Sequence, residues 1–195
     1  MNSKVFTRTI LFIAIFAFTA VQAQAQILPE FGVKGGLNLS TTTNTDDVAF
    51  KPGFVAGAFI KINVPVSPIS VQPEVLFAQY GAKAADGGEE SQQLDYIQVP
   101  VLLKVGFSPP LSLAKPYVYA GPYAGFNTRA EAETDDGNFD ISDAVSDTDY
   151  GIAGGIGLDV MSFNIDLRYT AGLTNIFEDA DAKNNALSLT LGIAF

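Results

Sequence analysis

Residues 185–195 (NALSLTLGIAF) place Leu187, Leu189, Leu191, Ile193 and Phe195 on one face of an extended strand and Ser188, Thr190, Gly192 and Ala194 on the other. Successive side chains of a strand point to opposite faces, so this period of two demands apolar surroundings on one side and a polar or cramped space on the other. Related patterns recur along the chain and predict eight strands, at 31–40, 54–64, 69–81, 94–107, 115–129, 150–160, 163–174 and 186–195. Alternating segments of about ten residues separated by turns are the signature of a β-barrel that crosses a membrane.

The split between faces is cleanest in 163–174, where Phe163, Ile165, Leu167, Tyr169, Ala171 and Leu173 oppose Asn164, Asp166, Arg168, Thr170 and Gly172. Segments 31–40, 54–64, 69–81 and 94–107 also carry an apolar face, with a polar or mixed face opposite. Segment 115–129 is ambiguous, because Tyr117, Tyr119 and Tyr123 share one face while Val118, Ala120 and Phe126 share the other. Its lipid-facing side stays open at this stage. The strand charges Lys34, Lys61, Glu74, Lys104, Asp166 and Arg168 all lie opposite the apolar stripe, as does Asp159 among Gly151, Gly155 and Gly157. A basic residue facing lipid at the membrane midplane costs about 2–4 kcal/mol, so these side chains are expected inside. Eight strands enclose an interior just wide enough for side chains to fill, and isolated charges there are too costly to leave unpaired. The expectation is therefore a lumen ion-pair network, with Glu74 and Asp166 serving Lys34, Lys61, Lys104 and Arg168. Its plain reading is a polar core; a gate or narrow conducting path is the functional alternative.

The connections after the second, fourth and sixth segments are short and nearly uncharged: 65–68, 108–114 and 161–162. Those after the odd-numbered segments, 41–51, 82–93, 130–149 and 175–185, are longer and polar. Outer-membrane barrels keep short turns on the periplasmic side, which puts both termini there. Phe31, Phe107, Phe163 and Phe195 then fall at the periplasmic ends of their strands, and Phe54, Phe77 and Tyr150 near the outer ends. Two such belts are expected where rings meet the headgroup regions.

Composition adds a destination. Lys4 and Arg8, an apolar run from Ile10 to Val21, and Ala23-Gln24-Ala25 follow the order of a secretory signal peptide. The expected division is a signal at 1–25, cleaved after Ala25 with Ala23 as the alternative, and a barrel domain at 26–195. The apolar run is short of the roughly 20 residues that span a bilayer as a helix. The chain is 48% hydrophobic and 16% charged, and no second long apolar run follows the first.

Of the net charge of −10, most sits between Glu131 and Asp149, where eight acidic residues occur without a basic one. Such a surface repels nucleic acid, whose backbone needs Lys and Arg to neutralise it. It suits a solvated loop, or divalent cations bridging to anionic lipopolysaccharide. Asp136-Gly137-Asn138-Phe139-Asp140 has the alternating oxygen donors of a calcium loop but lacks its central Gly and distal Glu, so no dedicated metal site is expected. The chain has no His and no Cys, which removes Ser-His machinery, His-ligated metals and thiol nucleophiles. The Gly151–Gly157 run (GIAGGIG) has the wrong spacing for a dinucleotide fingerprint, and no helical pattern follows it. The expectation is a non-enzymatic protein without a cofactor.

Phe31 to Ser40 (FGVKGGLNLS), Leu94 to Val105 (LDYIQVPVLLKV), Lys115 to Phe126 (KPYVYAGPYAGF) and the aromatic end at Phe195 together resemble the PorT-like, porin-family outer-membrane β-barrel domain. The resemblance implies an eight-stranded antiparallel barrel in a Gram-negative outer membrane. It also implies that the strand ending in Phe195 is read by the barrel-assembly machinery. Some relatives serve protein secretion, and no residue here carries that role over. The expected roles are envelope structure and surface interaction through acidic loops, in contact with outer-membrane lipid and lipopolysaccharide. Passage of small solutes and an accessory part in secretion are competing readings. A soluble lipocalin-like barrel binding an apolar ligand is a further alternative; it would place apolar residues inward and polar ones outward.

Overall fold

The computed structural model describes residues 28–42, 48–84, 91–107, 113–134, 137–140, 146, 148–174 and 183–195. Within them run nine strands: β1 (Glu30–Thr42), β2 (Val48–Asn63), β3 (Ile69–Ala84), β4 (Ser91–Gly106), β5 (Ala114–Thr134), β6 (Gly137–Asp140), β7 (Thr148–Val160), β8 (Phe163–Gly172) and β9 (Asn184–Ala194). The signal region at 1–25 lies outside the described residues.

Eight of the strands close into a ring. Every neighbouring pair is antiparallel, in the order β4-β3-β2-β1-β9-β8-β7-β5, and β4 pairs with β5 to complete the circle. Closure matters energetically, because an open sheet edge in hydrocarbon would leave a row of unpaired backbone N–H and C=O groups. The last strand meets the first along an eleven-pair register from Gly32↔Ala194 to Thr42↔Asn184. Phe195 N donates to Phe31 O at 2.7 Å and extends that seam to the final residue.

The period-two pattern is realised as burial. β8 alternates exposed and buried from Phe163 to Thr170, with Asn164, Asp166, Arg168 and Thr170 inside. Leu189, Leu191, Leu37, Val75, Leu103, Val118, Ile152 and Ile156 are among the large apolar side chains left on the outside. An apolar exterior around a polar interior is the reverse of a lipocalin-like barrel, which removes that alternative. β5, left open by its sequence, turns Tyr117, Tyr119 and Tyr123 inward and Val118, Pro122 and Phe126 outward.

The hairpin joining β7 and β8 is the two-residue turn Met161-Ser162, with Met161 at φ 56°. Positive φ at the first turn residue gives the backbone twist that matches the flanking strands. Val66, in the turn after β2, is at φ 57°. For a β-branched residue that is a strained conformation.

The strands run further toward the long loops than the sequence predicts. β2 begins at Val48 instead of 54, β3 ends at Ala84, β4 begins at Ser91 and β5 continues to Thr134. Gln92 and Gln93 stand beside Ser91, so no apolar stripe marks this stretch. Backbone ladder bonds carry it instead, as in Ser91↔Glu133 and Gln92↔Ala132. The ninth strand, β6, lies outside the ring and pairs with the same end of β5, from Thr134↔Gly137 to Glu131↔Asp140. Part of the predicted acidic loop at 130–149 is therefore strand, and residues 135–136, 141–145 and 147 lie outside the described residues.

Candidate functional site

The interior of the ring is filled in layers. Toward the long-loop end, Val55, Leu76, Ala78, Tyr80, Leu94, Tyr96 and Ala186 form an apolar cluster. Tyr80 and Tyr96 meet edge to face at 5.7 Å, and Gln98 donates to the Tyr80 hydroxyl at 2.7 Å. Beside them, Asp149 accepts from the Tyr123 hydroxyl at 2.8 Å and from Thr174 at 2.6 Å.

The middle layer is centred on Glu74. Its Oε1 accepts from Gln72 Nε2 at 2.6 Å, Lys34 Nζ at 3.0 Å and Arg168 Nη2 at 3.0 Å. Its Oε2 has Arg168 Nη1 at 2.8 Å, an ion-pair approach that lies off the N–H direction of a hydrogen bond. Lys34 bridges to a second carboxylate, Asp166 Oδ2, at 2.8 Å. Asp166 Oδ1 accepts from the Tyr117 hydroxyl at 2.6 Å, and Thr190 Oγ1 donates to Oδ2 at 3.4 Å. Arg168 Nε donates to the Tyr119 hydroxyl at 3.3 Å. Five strands converge here: β1 brings Lys34, β3 brings Gln72 and Glu74, β5 the tyrosines, β8 Asp166 and Arg168, and β9 Thr190.

β7 makes the space. Its inward glycines stand in register opposite the inward tyrosines of β5, as Tyr123↔Gly151, Tyr119↔Gly155 and Tyr117↔Gly157. A Cβ on any of the three glycines would collide with the ring of its partner tyrosine. The rings lie over the glycines and fill the lumen.

The six residues singled out from the sequence thus divide into two groups. Lys34, Glu74, Asp166 and Arg168 join in one buried cluster. Lys61 does not join it: its Nζ pairs with Asp159 at 3.2 Å and Glu30 at 3.4 Å, nearer the short-turn end. The expectation that Glu74 or Asp166 would serve Lys61 is corrected here, because Lys61 sits at the start of the β1–β2 register, opposite Glu30. Lys104 is likewise outside the ion pairs among the described residues; its Nζ donates to Gln72 Oε1 at 3.1 Å and lies 3.6 Å from the centre of the Tyr117 ring. The sequence reading passed over Gln72, Tyr117, Tyr119, Thr190 and Glu30. The tyrosines were legible in principle, since residues 117, 119 and 123 mirror the spacing of glycines 157, 155 and 151.

A closed eight-stranded antiparallel ring with an apolar exterior and a charged, packed interior defines a membrane-spanning β-barrel of the outer-membrane type. The family described as "Outer membrane protein beta-barrel domain" matches residues 22–178, and the chain belongs to that family, which places it in the Gram-negative outer membrane. Among solved structures, surface protein A of Neisseria (NspA) is similar at a TM-score of 0.53 and 13% identity, covering 85% of this chain and 97% of that one. Ail of Yersinia pestis gives 0.49 at 16% identity, covering 85% and 98%. OprG of Pseudomonas aeruginosa gives 0.47 at 16% identity, covering 85% and 95%. The likeness to NspA is one of fold. No curated protein matches the chain.

Proposed function

We propose that this is a non-enzymatic envelope protein, a closed scaffold that works through its outer surface and not through a pore. The observation that carries the reading is the Glu74 cluster: the side chains of Lys34, Glu74 and Asp166 are each 2% exposed or less, midway along the lumen. A continuous water path would have to break those contacts. Narrow solute passage is the weaker reading for that reason. Membership of the PorT-like branch rests on the segments 31–40, 94–105 and 115–126 together with the aromatic end at Phe195 and is part of the proposal; no residue here carries over the secretion role of some relatives.

The working surface is the long-loop end, to which the sequence between the ring strands β5 and β7 contributes its run of acidic residues. Its partner is lipopolysaccharide, bridged by divalent cations that neutralise both sides. Phe195 is the assembly signal read by the barrel-assembly machinery, in keeping with the seam it closes against Phe31.

The test is retention of the folded barrel on lipopolysaccharide-containing vesicles, with and without Mg²⁺. The comparison protein has Glu131, Glu133, Asp135, Asp136, Asp140, Asp143 and Asp147 changed to Gln or Asn. Retention that needs Mg²⁺ and falls in the neutralised variant is the expected outcome. Equal retention by both proteins rules the surface reading out.

A further inference from the structure

Below the Glu74 cluster the lumen is not filled. Two adjoining cavities of about 440 and 240 Å³ open at the short-turn end, and both are lined by Glu30, Lys61, Lys104, Lys115 and Asp159. The chain carries a net charge of −10, yet here three lysines face two carboxylates. Both carboxylates are already engaged by Lys61, at 3.4 and 3.2 Å.

Lys104 is the unusual member. It is 4% exposed, and none of the ion pairs among the described residues includes it. Asp159 and Asp166 act on it only at longer range. Its contacts are one neutral amide oxygen and the face of a tyrosine ring. A buried ammonium without a paired anion carries an uncompensated desolvation cost. In the same cavity wall, Asn164 is 7% exposed and its buried Oδ1 accepts no hydrogen bond within the protein. Lys104, a cation short of an anion, thus borders this space.

We propose that this cup binds a phosphate group, with Lys104 at its floor and Lys61 and Lys115 at its wall. Three ammonium groups around one cavity suit a multi-oxygen anion, for which lysine serves as a point charge. A single water occupies about 30 Å³ in the liquid, so the larger cavity holds a phosphate together with several waters. The Glu74 cluster blocks the way onward, so the cup fills and empties from the short-turn end. The phosphate comes either free from solution or on a phospholipid headgroup of the adjacent leaflet; the recognising chemistry is the same.

The experiment is a titration of inorganic phosphate into the folded barrel in non-ionic detergent, followed by calorimetry and by ³¹P line width. Saturable binding is expected, weakened at least tenfold, or about 1.4 kcal/mol, in Lys104→Gln. Lys115→Gln, whose side chain is exposed, is expected to weaken it about threefold, or about 0.65 kcal/mol on the same scale. Heat-modifiable gel mobility establishes that each variant is folded; if Lys104→Gln is not, Lys115→Gln decides. Displacement of the phosphate by added phosphatidylglycerol identifies the headgroup as the source, and its persistence identifies the free anion. No saturable binding, or unchanged affinity in a folded Lys104→Gln variant, overturns the proposal. Neither result depends on the acidic loops.

Discussion

Glu74 accepts more charged donors than any other lumen side chain described above. Removing a carboxylate from a buried cluster leaves its cations unpaired, at a cost of about 3–5 kcal/mol. Glu74→Gln is therefore expected to lower the urea stability of the vesicle-embedded barrel by that order. Lys61, whose side chain is 20% exposed beside half-exposed Glu30, belongs to a different regime. Partly solvated pairs contribute about 0–1 kcal/mol, so Lys61→Met is expected to shift the same unfolding midpoint little. Equal losses in the two variants would mean that position in the lumen does not set the energetics. The facing of these charges was legible, since each stands opposite an apolar stripe, but the partners were not. Pairing depends on which strands are neighbours and on their stagger. Lys61 meets Glu30 because the antiparallel register sets the start of β1 directly across from the end of β2, a relation invisible within either segment alone.

At the scale of the element, β5 and β7 form a matched pair of large and small. Gly155→Val drives a branched side chain against the Leu167 backbone carbonyl and the Tyr119 side chain, and overpacking of this kind costs about 1–3 kcal/mol. Tyr119→Ala in the same chain is expected to recover part of that loss, measured as a double-mutant cycle on urea midpoints. Additive losses would show that the two side chains do not compete for one space. The orientation of β5 escaped a period-two reading because aromatic residues suit either face: tyrosine is apolar enough for lipid and polar enough for a hydrogen-bonded core. The complementary spacing on β7 decides it. The strand ends beyond the ring escaped for another reason. Where polar residues such as Gln92 and Gln93 extend a strand, only backbone pairing defines it, and pairing leaves no hydropathy trace.

At the scale of the whole molecule, alternation along eight segments and the short-long rhythm of their connections were enough to define a barrel of the right strand number and inside-out polarity. β6 was missed because it is a short addition to a hairpin outside the ring. The apolar wall adapts the molecule to a membrane, and side chains fill the lumen from the Glu74 cluster to the long-loop end. What remains for chemistry lies at its two mouths, acidic above and lysine-lined below.

The central claim is that the lumen is closed by the cluster around Glu74. Planar-bilayer recording of the refolded protein tests it most directly, beside Glu74→Ala and Asp166→Ala. The account predicts no steady current through the wild-type barrel and leak currents once either carboxylate is removed. A steady wild-type conductance comparable to that of a large porin would contradict it.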